Sequence, residues 1–212
     1  MNRPSKQVDA QLIASGLALL PQTGCGGLSV RKLVEHAGVN LGMFHYHFKN
    51  KDNFIRILLD QMYEGMFLEL QLQTAARGDA VASLRAAITV LGRFVLKHRA
   101  MLGMLLAEAA RGEPVPLAFL RNNAPRHVHV LLKLVRQGQA DGNIIGLPVQ
   151  QLLPFIAGGV IAPMLAGNAA ERSGAIDAGM AALVDVALLS EQALLQRIEL
   201  SLRAITLIKE AP

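Results

Sequence analysis

The chain has 212 residues, of which 52% are hydrophobic and 4% aromatic, with no Trp. This length can bury a sizeable core, and a composition dominated by Leu, Ala and Gly favours helix over sheet. The single cysteine, Cys25, excludes an internal disulfide, and the first residues contain no apolar signal core, so we expect a reduced, cytoplasmic protein.

The net charge of +5 is concentrated near the N-terminus. Residues 1–51 hold six Lys and Arg against two Asp and Glu, whereas residues 52–212 hold fifteen against fourteen. A compact positive segment attracts polyanions. Nucleic acid is therefore the leading candidate partner, and a membrane surface or simple solubility are the alternatives.

Hydrophobic residues recur at helical spacing along almost the whole chain, and no segment shows the alternation of a β-strand. The pattern predicts an all-α protein that begins with three helices. The first ends near Pro21 and Gly24. The second begins after Ser29, an N-cap residue, and ends at Gly38. The third covers about residues 40–48.

Longer helices are predicted beyond residue 50. A fourth helix begins within "KNKDNF", and the connectors between later helices hold the Gly, Pro, Asn and Asp residues expected of turns. The chain is therefore predicted to divide into a basic head, residues 1–50, and a helical body, residues 51–212. The later helices are expected over residues 79–98, 100–111, 116–137, 148–167 and 176–209, the last with a potential break near Ser190.

One body segment has the composition of a membrane span. No residue from Gly142 to Ala170 is charged, and a spanning helix needs roughly 20 apolar residues. The segment also contains Pro148, Pro154 and Pro163, and it lacks a flanking cluster of Lys and Arg. We therefore expect a buried or subunit-interface helix and no membrane partner, with a membrane-associated helical protein as the alternative.

The head contains two short helices joined by a tight turn, "SVRKLVEH", "AGVN" and "LGMFHYHF", which is the pattern of a helix-turn-helix. The second helix of this motif enters the major groove of DNA. At 100° per residue, Phe44 and Phe48 share one face of that helix, while Gly42 and Tyr46 lie nearly opposite. The face turned away from the core is thus apolar and aromatic, and basic residues bracket it.

This face suits a DNA duplex. Gly42 lets the backbone approach the groove floor, Met43 can contact a thymine methyl group, and the tips of His45 and Tyr46 can donate to phosphates or base edges. Lysines at the start of the next helix would bind phosphate together with its free N–H groups. The residues predicted to contact DNA are Ser29, Val30, Arg31, Asn40, Leu41, Gly42, Met43, His45, Tyr46, His47, Lys49 and Lys51.

Other kinds of site find less support. A zinc site at His45 and His47 would need further ligands, and no Cys-x-x-Cys or His-x-x-x-His spacing supplies them. An ordinary surface or packed histidine is the alternative to a DNA contact at each position. Cys25 has no resolving cysteine and is expected to be inert. No Ser-His-Asp, Cys-His or carboxylate-pair motif is present, so we predict no enzyme, no metal site and no cofactor.

Residues 10–55 resemble the DNA-binding domain of the TetR/AcrR family of bacterial transcriptional regulators. Two positions depart from the family pattern: His45 occupies the usual tyrosine position, with Tyr46 one place later, and Asn40 replaces the common Ser or Thr. The operator sequence is therefore less easily inferred than the mode of binding. The residues in register with the family are Ser29, Ala37, Gly38, Val39, Gly42, His47, Phe48 and Lys51.

The resemblance implies an N-terminal three-helix helix-turn-helix domain followed by a larger helical ligand-binding and dimerisation domain. It implies a homodimer that binds a palindromic double-stranded DNA operator, most often as a repressor, and that a small-molecule effector releases. The Met- and Leu-rich body favours a hydrophobic effector, although no pocket residue carries over from the family. We expect "LLPFIAGGVIAPML" and "SEQALLQRIELSLRAIT" to form the dimer interface. Glu108 and Arg111 are expected to form an ion pair on the helix surface. The alternative is that they are polar anchors in a cavity.

Overall fold

Helices make up nearly all of the regular structure in residues 4–75 and 78–207, the part of the chain that this computed structural model describes, with side chains from residue 7. No β-strand occurs among these residues, so the predicted all-α class is confirmed. The predicted helix end at residue 209 lies outside the described residues, and so do the side chains of Arg3 and Lys6, two of the six basic residues in the N-terminal segment. The helices are α1 (Pro4–Gly27), α2 (Val30–Ala37), α3 (Leu41–Phe48), α4 (Lys51–Ala75), α5 (Ala80–Ala110), α6 (Pro114–Ala140), α7 (Val149–Val160), α8 (Ala162–Ser173), α9 (Ala178–Ala187) and α10 (Glu191–Ile205).

Local capping signals set the limits of α2 and α3. The Ser29 hydroxyl accepts the N–H of Lys32 at 3.4 Å and so caps the start of α2. Gly38 ends α2 in the left-handed conformation, with φ 66° and ψ 31°. The Asn40 side chain then accepts the N–H of Met43 at 2.9 Å and caps α3. The predicted helix, tight turn and helix are therefore confirmed.

The end of α1 is bent at Gly24, whose φ of 71° and ψ of 172° are not helical. Both carboxylate oxygens of Glu108 accept the backbone N–H of Cys25, each at 3.1 Å. Glu108 is buried, with 7% of its surface exposed. The expected surface ion pair between Glu108 and Arg111 is therefore wrong, because the Glu108 carboxylate is inside the protein and binds a backbone amide 83 residues away.

Three of the longer helices depart from the predicted limits. One helix, α5, covers the two predicted over residues 79–98 and 100–111, and it bends at His98, where φ is −110° and ψ is 19°. Two helices, α7 and α8, replace the single helix predicted over 148–167 and meet at Ile161. Pro163 lies in the first turn of α8, where its missing N–H is tolerated. Within one continuous helix it would interrupt the backbone hydrogen bonds.

The described residues form two compact units. Of these residues, unit 1 comprises 4–64 and 100–123, and unit 2 comprises 65–75, 78–99 and 124–207. In unit 1 the rings of Phe44 and Phe48 pack on Phe54, with centroid distances of 5.6 and 4.9 Å. The predicted division between a head of residues 1–50 and a body of residues 51–212 concerns function and stays a prediction.

One face of α7 lies in the core of unit 2. Val149, Leu152, Ile156 and Val160 are buried in a cluster that includes residues of α5, α6 and α10. A Cβ atom added to Gly159 would come within 2.9 Å of the Ser201 hydroxyl oxygen, so the small residue allows α7 and α10 to approach closely.

Residues 149–173 of α7 and α8 have the length and mean hydropathy of a membrane-crossing helix, and α9 with α10 would meet the same test as one bent span. Composition of this kind is weak evidence, because core helices of soluble proteins share it. Here one face of α7 lies in the core of unit 2, whereas Phe155 on another face is 51% exposed. The segment therefore has the buried face that was predicted, together with an exposed apolar face.

Candidate nucleic-acid interface

The helix α3 presents one fully packed face and one open face. Phe44 is fully buried and Phe48 is 4% exposed, so the two rings hold α3 to unit 1. On the other side Tyr46 is 77% exposed, and Gly42 and His45 are also exposed. An open tyrosine of this size, on a helix whose opposite face is fully anchored, provides a rigid surface for contact with another molecule.

The N-terminal parts of α2 and α3 supply the remaining candidates near this face. Arg31 is exposed, whereas Ser29 and Val30 are half-buried at the start of α2. Asn40 is exposed beside the α3 terminus that it caps, and Leu41 is 48% exposed. The candidates thus include an exposed cation and the first turns of two helices, where backbone N–H groups favour anions.

His47 is the least accessible of the aromatic candidates. Its Nδ1 atom lies 2.6 Å from a carboxylate oxygen of Asp9, and its side chain is only 7% exposed. The contact joins α3 to α1, and it becomes an ion pair when the imidazole is protonated. Sequence reasoning did not find Asp9, because no local spacing relates two residues that lie 38 positions apart.

The turn after α3 has an unusual backbone conformation. Lys49 has a φ of 64° and a ψ of −54°, and it is the only non-glycine residue with positive φ in the described part of the chain. The N–H of Asn50 donates to the carbonyl oxygen of Phe48 at 2.7 Å, which closes a three-residue γ-turn. Backbone strain of this kind persists only where the surroundings enforce it, and it often marks functional sites.

Side chains on both sides of this turn hold it in place. The His45 Nδ1 atom lies 3.1 Å from the carbonyl oxygen of Lys49. The Asn53 side-chain amide donates to the carbonyl oxygen of Phe48 at 2.9 Å. The Asn50 side chain accepts the N–H of Asn53 at 2.9 Å and so caps α4. A small polar network therefore fixes the turn between α3 and α4.

The two lysines of this region are placed differently. Lys49 is exposed at the end of α3. Lys51, at the start of α4, is half-buried, and its ammonium group donates to the carbonyl oxygen of Gly26 at 2.8 Å. Lys51 thus links α4 to the last turn of α1, and only Lys49 of the pair is open to a partner in this structure.

An open cleft of about 580 Å³ lies beside the turn within unit 1. The first turns of α4 and α6 form its walls, and Arg56 and Phe119 are among its lining residues. Sequence reasoning gave no sign of this cleft, because its walls come from helices more than 50 residues apart. No group of three or more His, Cys, Asp or Glu residues suited to a metal ion was found among the described residues.

Comparison with known proteins agrees with this geometry. Residues 12–56 match the family model described as bacterial regulatory proteins, tetR family. The chain is 22% identical over 147 residues to a probable HTH-type transcriptional regulator, YttP, of Bacillus subtilis, covering 68% of this chain and 70% of that protein. It is 38% identical over 68 residues to the class A tetracycline repressor from transposon 1721 of Escherichia coli, covering 32% of this chain and 30% of the repressor.

Solved structures show the same fold over nearly the full length. The ketosteroid transcriptional regulator KstR2 of Mycobacterium tuberculosis matches with a TM-score of 0.70 and 17% identity, covering 94% of this chain and 95% of that one. The N-terminal family match, the capped helix-turn-helix and the open face of α3 together define a DNA-binding transcriptional regulator. Residues 12–56 place this DNA-binding domain with the TetR family of bacterial regulatory proteins.

Proposed function

We propose that this chain is a cytoplasmic repressor that binds a palindromic DNA operator as a homodimer and leaves it when a small hydrophobic effector binds. The open face of α3 carries the proposal, because Tyr46 is 77% exposed directly opposite the fully buried Phe44. Two copies of α3 would enter successive major grooves with half-sites about 34 to 36 Å apart, or at a multiple of one helical turn.

Within each half-site we assign the groove contacts to Gly42, Met43, His45 and Tyr46, all on α3. Gly42 adds no side chain between the backbone and the bases, and Tyr46 extends furthest into solvent. Base edges in the major groove are distinct for each base pair, so these contacts would set sequence preference. Leu41, at the exposed start of the same helix, would add an apolar contact.

The remaining proposed contacts go to phosphate groups and position the protein without reading bases. Arg31 and Lys49 are exposed cations, whereas Ser29, Val30 and Asn40 place backbone N–H groups at helix starts. These groups would fix the register of the head on the duplex.

Two further phosphate contacts require an exchange of partner. His47 would have to leave Asp9, and Lys51 would have to release the carbonyl oxygen of Gly26. Each contact to DNA would therefore contribute less than that of an exposed cation such as Lys49, because an existing interaction is lost when it forms.

The functional boundary is proposed after residue 50, with the body responsible for dimerisation. Large apolar side chains are exposed on both predicted interface elements, with Phe155 51% exposed on α7 and Leu200 65% exposed on α10. On α9 Leu183 and Val186 are 63% and 71% exposed, and sequence reasoning did not single them out. Obligate dimer interfaces resemble a core cut in half, which matches this apolar surface.

The effector would bind within the body. Unit 2 contains an apolar cavity of about 50 Å³ whose lining includes Leu84, Leu131 and Leu153. This volume is small beside the roughly 300 Å³ of ordinary ligand sites, so binding would require the surrounding helices to move. An effector that prefers the enlarged state would shift the population towards it and release the operator. The solved relative KstR2 is described as a ketosteroid regulator, which supports a hydrophobic ligand.

A mobility-shift experiment tests the proposal. Purified dimer is mixed at low salt with fragments that tile the DNA upstream of its own coding region and of the adjacent genes. We expect one fragment to shift, and the affinity to fall steeply with added salt because phosphate contacts release counterions. Folded dimer that shifts none of these fragments would refute the proposal.

Tyr46→Ala tests the assigned face directly. The variant should bind the shifted fragment more weakly while its mass by analytical ultracentrifugation stays that of the wild type. Leu72→Ala is a matched control, since Leu72 is 63% exposed but lies 21 residues after the start of α4. Full affinity in Tyr46→Ala, or an equal loss in the control, would remove Tyr46 from the contact surface.

A further inference from the structure

The hydrogen bond of His45 determines which of its ring nitrogens carries the proton. Nδ1 lies 3.1 Å from the backbone carbonyl oxygen of Lys49. A carbonyl oxygen can only accept, so Nδ1 must be the donor in this bond. In the neutral imidazole one nitrogen donates and the other accepts, and therefore Nε2 carries an unprotonated lone pair.

The position of the acceptor oxygen makes this tautomer a property of the fold. The Lys49 carbonyl belongs to the γ-turn with φ 64°, which the Asn50 N–H closes and the Asn53 side chain supports through Phe48. The ring of His45 also meets the buried Phe44 ring edge to face, with centroids 5.5 Å apart. One edge of the imidazole is thereby held to the protein, while the residue as a whole remains exposed.

On the basis of the proposed function, we infer that His45 is a specificity-determining residue that accepts a hydrogen bond from an exocyclic amino group in the major groove. Only two bases offer such a donor there, adenine through N6 and cytosine through N4. Guanine presents N7 and O6 and thymine presents O4, which are acceptors and would face the Nε2 lone pair unfavourably.

A tyrosine at this position would recognise bases differently from His45. A tyrosine hydroxyl donates as well as accepts, so it can face any of these groups or a phosphate. The replacement of tyrosine by His45, which made the operator hard to infer from the family, therefore narrows the expected base preference. One position in each half-site should be adenine or cytosine on the strand that His45 faces.

Selection from a randomised duplex library tests the inference, in a buffer well above the usual pKa of imidazole. The full-length dimer is compared with His45→Ala and His45→Tyr, and with His36→Ala as a matched control, since His36 is exposed on α2 and binds Ser15. The wild type and the control should share a preference for adenine or cytosine at one position. In both His45 variants this preference should weaken by roughly 2- to 12-fold, the range for one neutral hydrogen bond.

A single-atom change in the DNA separates base reading from a structural role of His45. Replacing the preferred adenine by unsubstituted purine, or the preferred cytosine by its 4-deamino analogue, removes only the amino group. This change should weaken the wild type by the same roughly 2- to 12-fold and leave His45→Ala unaffected. A purely structural role for His45 predicts an equal effect in both proteins, which would overturn the inference.

Long-range nitrogen-15 correlation spectra give an independent measurement on the free protein. The His45 signals, assigned by their absence in His45→Ala, should show the proton on Nδ1. A proton on Nε2, or an unchanged base preference in His45→Ala, would overturn the inference and leave the proposed function standing. If the wild type enriches no sequence at all, the proposed function fails and the inference fails with it.

Discussion

Replacing Glu108 by alanine removes the carboxylate whose two oxygens each lie 3.1 Å from the backbone nitrogen of Cys25. Hydrogen bonds to charged groups contribute about 1.5 to 3 kcal/mol, and an orphaned buried donor costs a similar amount. The carboxylate is itself buried, so its desolvation opposes this gain. Because Cys25 is only 6% exposed, water cannot readily replace the lost acceptor, and we expect the hydrogen bond to dominate.

We therefore expect Glu108→Ala to lower the free energy of unfolding by about 2 kcal/mol, a fall in Tm of roughly 4 to 8 °C for a chain of this size. Glu108→Gln should recover part of the loss, since its amide oxygen can accept the same N–H without the charge. Leu106→Ala is a control on the same helix, because Leu106 is 44% exposed. Denaturant unfolding followed by circular dichroism measures these differences.

Cys25 provides a local readout of the same change. Burial, and then the nearby Glu108 carboxylate, raise the pKa of its thiol well above the usual range, so the folded thiol should react only when this corner opens. A local cost of about 2 kcal/mol corresponds to labelling by a thiol reagent that is roughly 30-fold faster in Glu108→Ala. An unchanged denaturation midpoint and an unchanged labelling rate would show that desolvation cancels the hydrogen bond and would refute the reasoning.

Three further changes have clear expected outcomes. Phe44→Ala empties a fully buried site and should cost about 3 to 5 kcal/mol in denaturant unfolding. Arg85→Ala breaks an exposed contact to Glu199 and should cost at most about 1 kcal/mol, less at high salt. Burial lowers the pKa of His98, so acidification below the ordinary histidine range protonates the unfolded chain first and reduces stability. His98→Gln should reduce this loss of stability at acid pH. The part that remains is due to His127, because burial also lowers the pKa of that residue.

The same unfolding measurements can contradict each of these three predictions. A Phe44→Ala variant as stable as the wild type would mean that the head repacks around the cavity. A salt-independent loss above 2 kcal/mol in Arg85→Ala would be too large for an exposed ion pair. Parallel pH profiles for His98→Gln and the wild type would show that His98 is not held neutral by the fold.

Local signals were sufficient to place the helix-turn-helix. Ser29, Gly38 and Asn40 act on residues within four positions of themselves, through side-chain caps and a left-handed backbone. Helical periodicity alone likewise separates the buried Phe44 from the exposed Tyr46. Interactions of this range are written in consecutive residues, so the class of protein could be recognised from a quarter of the chain.

Only the tertiary structure decided how these residues are held. The contacts of Glu108 with Cys25, of Lys51 with Gly26 and of His47 with Asp9 join positions between 25 and 83 residues apart, and no spacing rule relates them. The body shows the same limit, because apolar periodicity marks a buried face on α7 without showing which helix covers it. The choice among many distant partners is made by packing and burial, and these exist only in the folded chain.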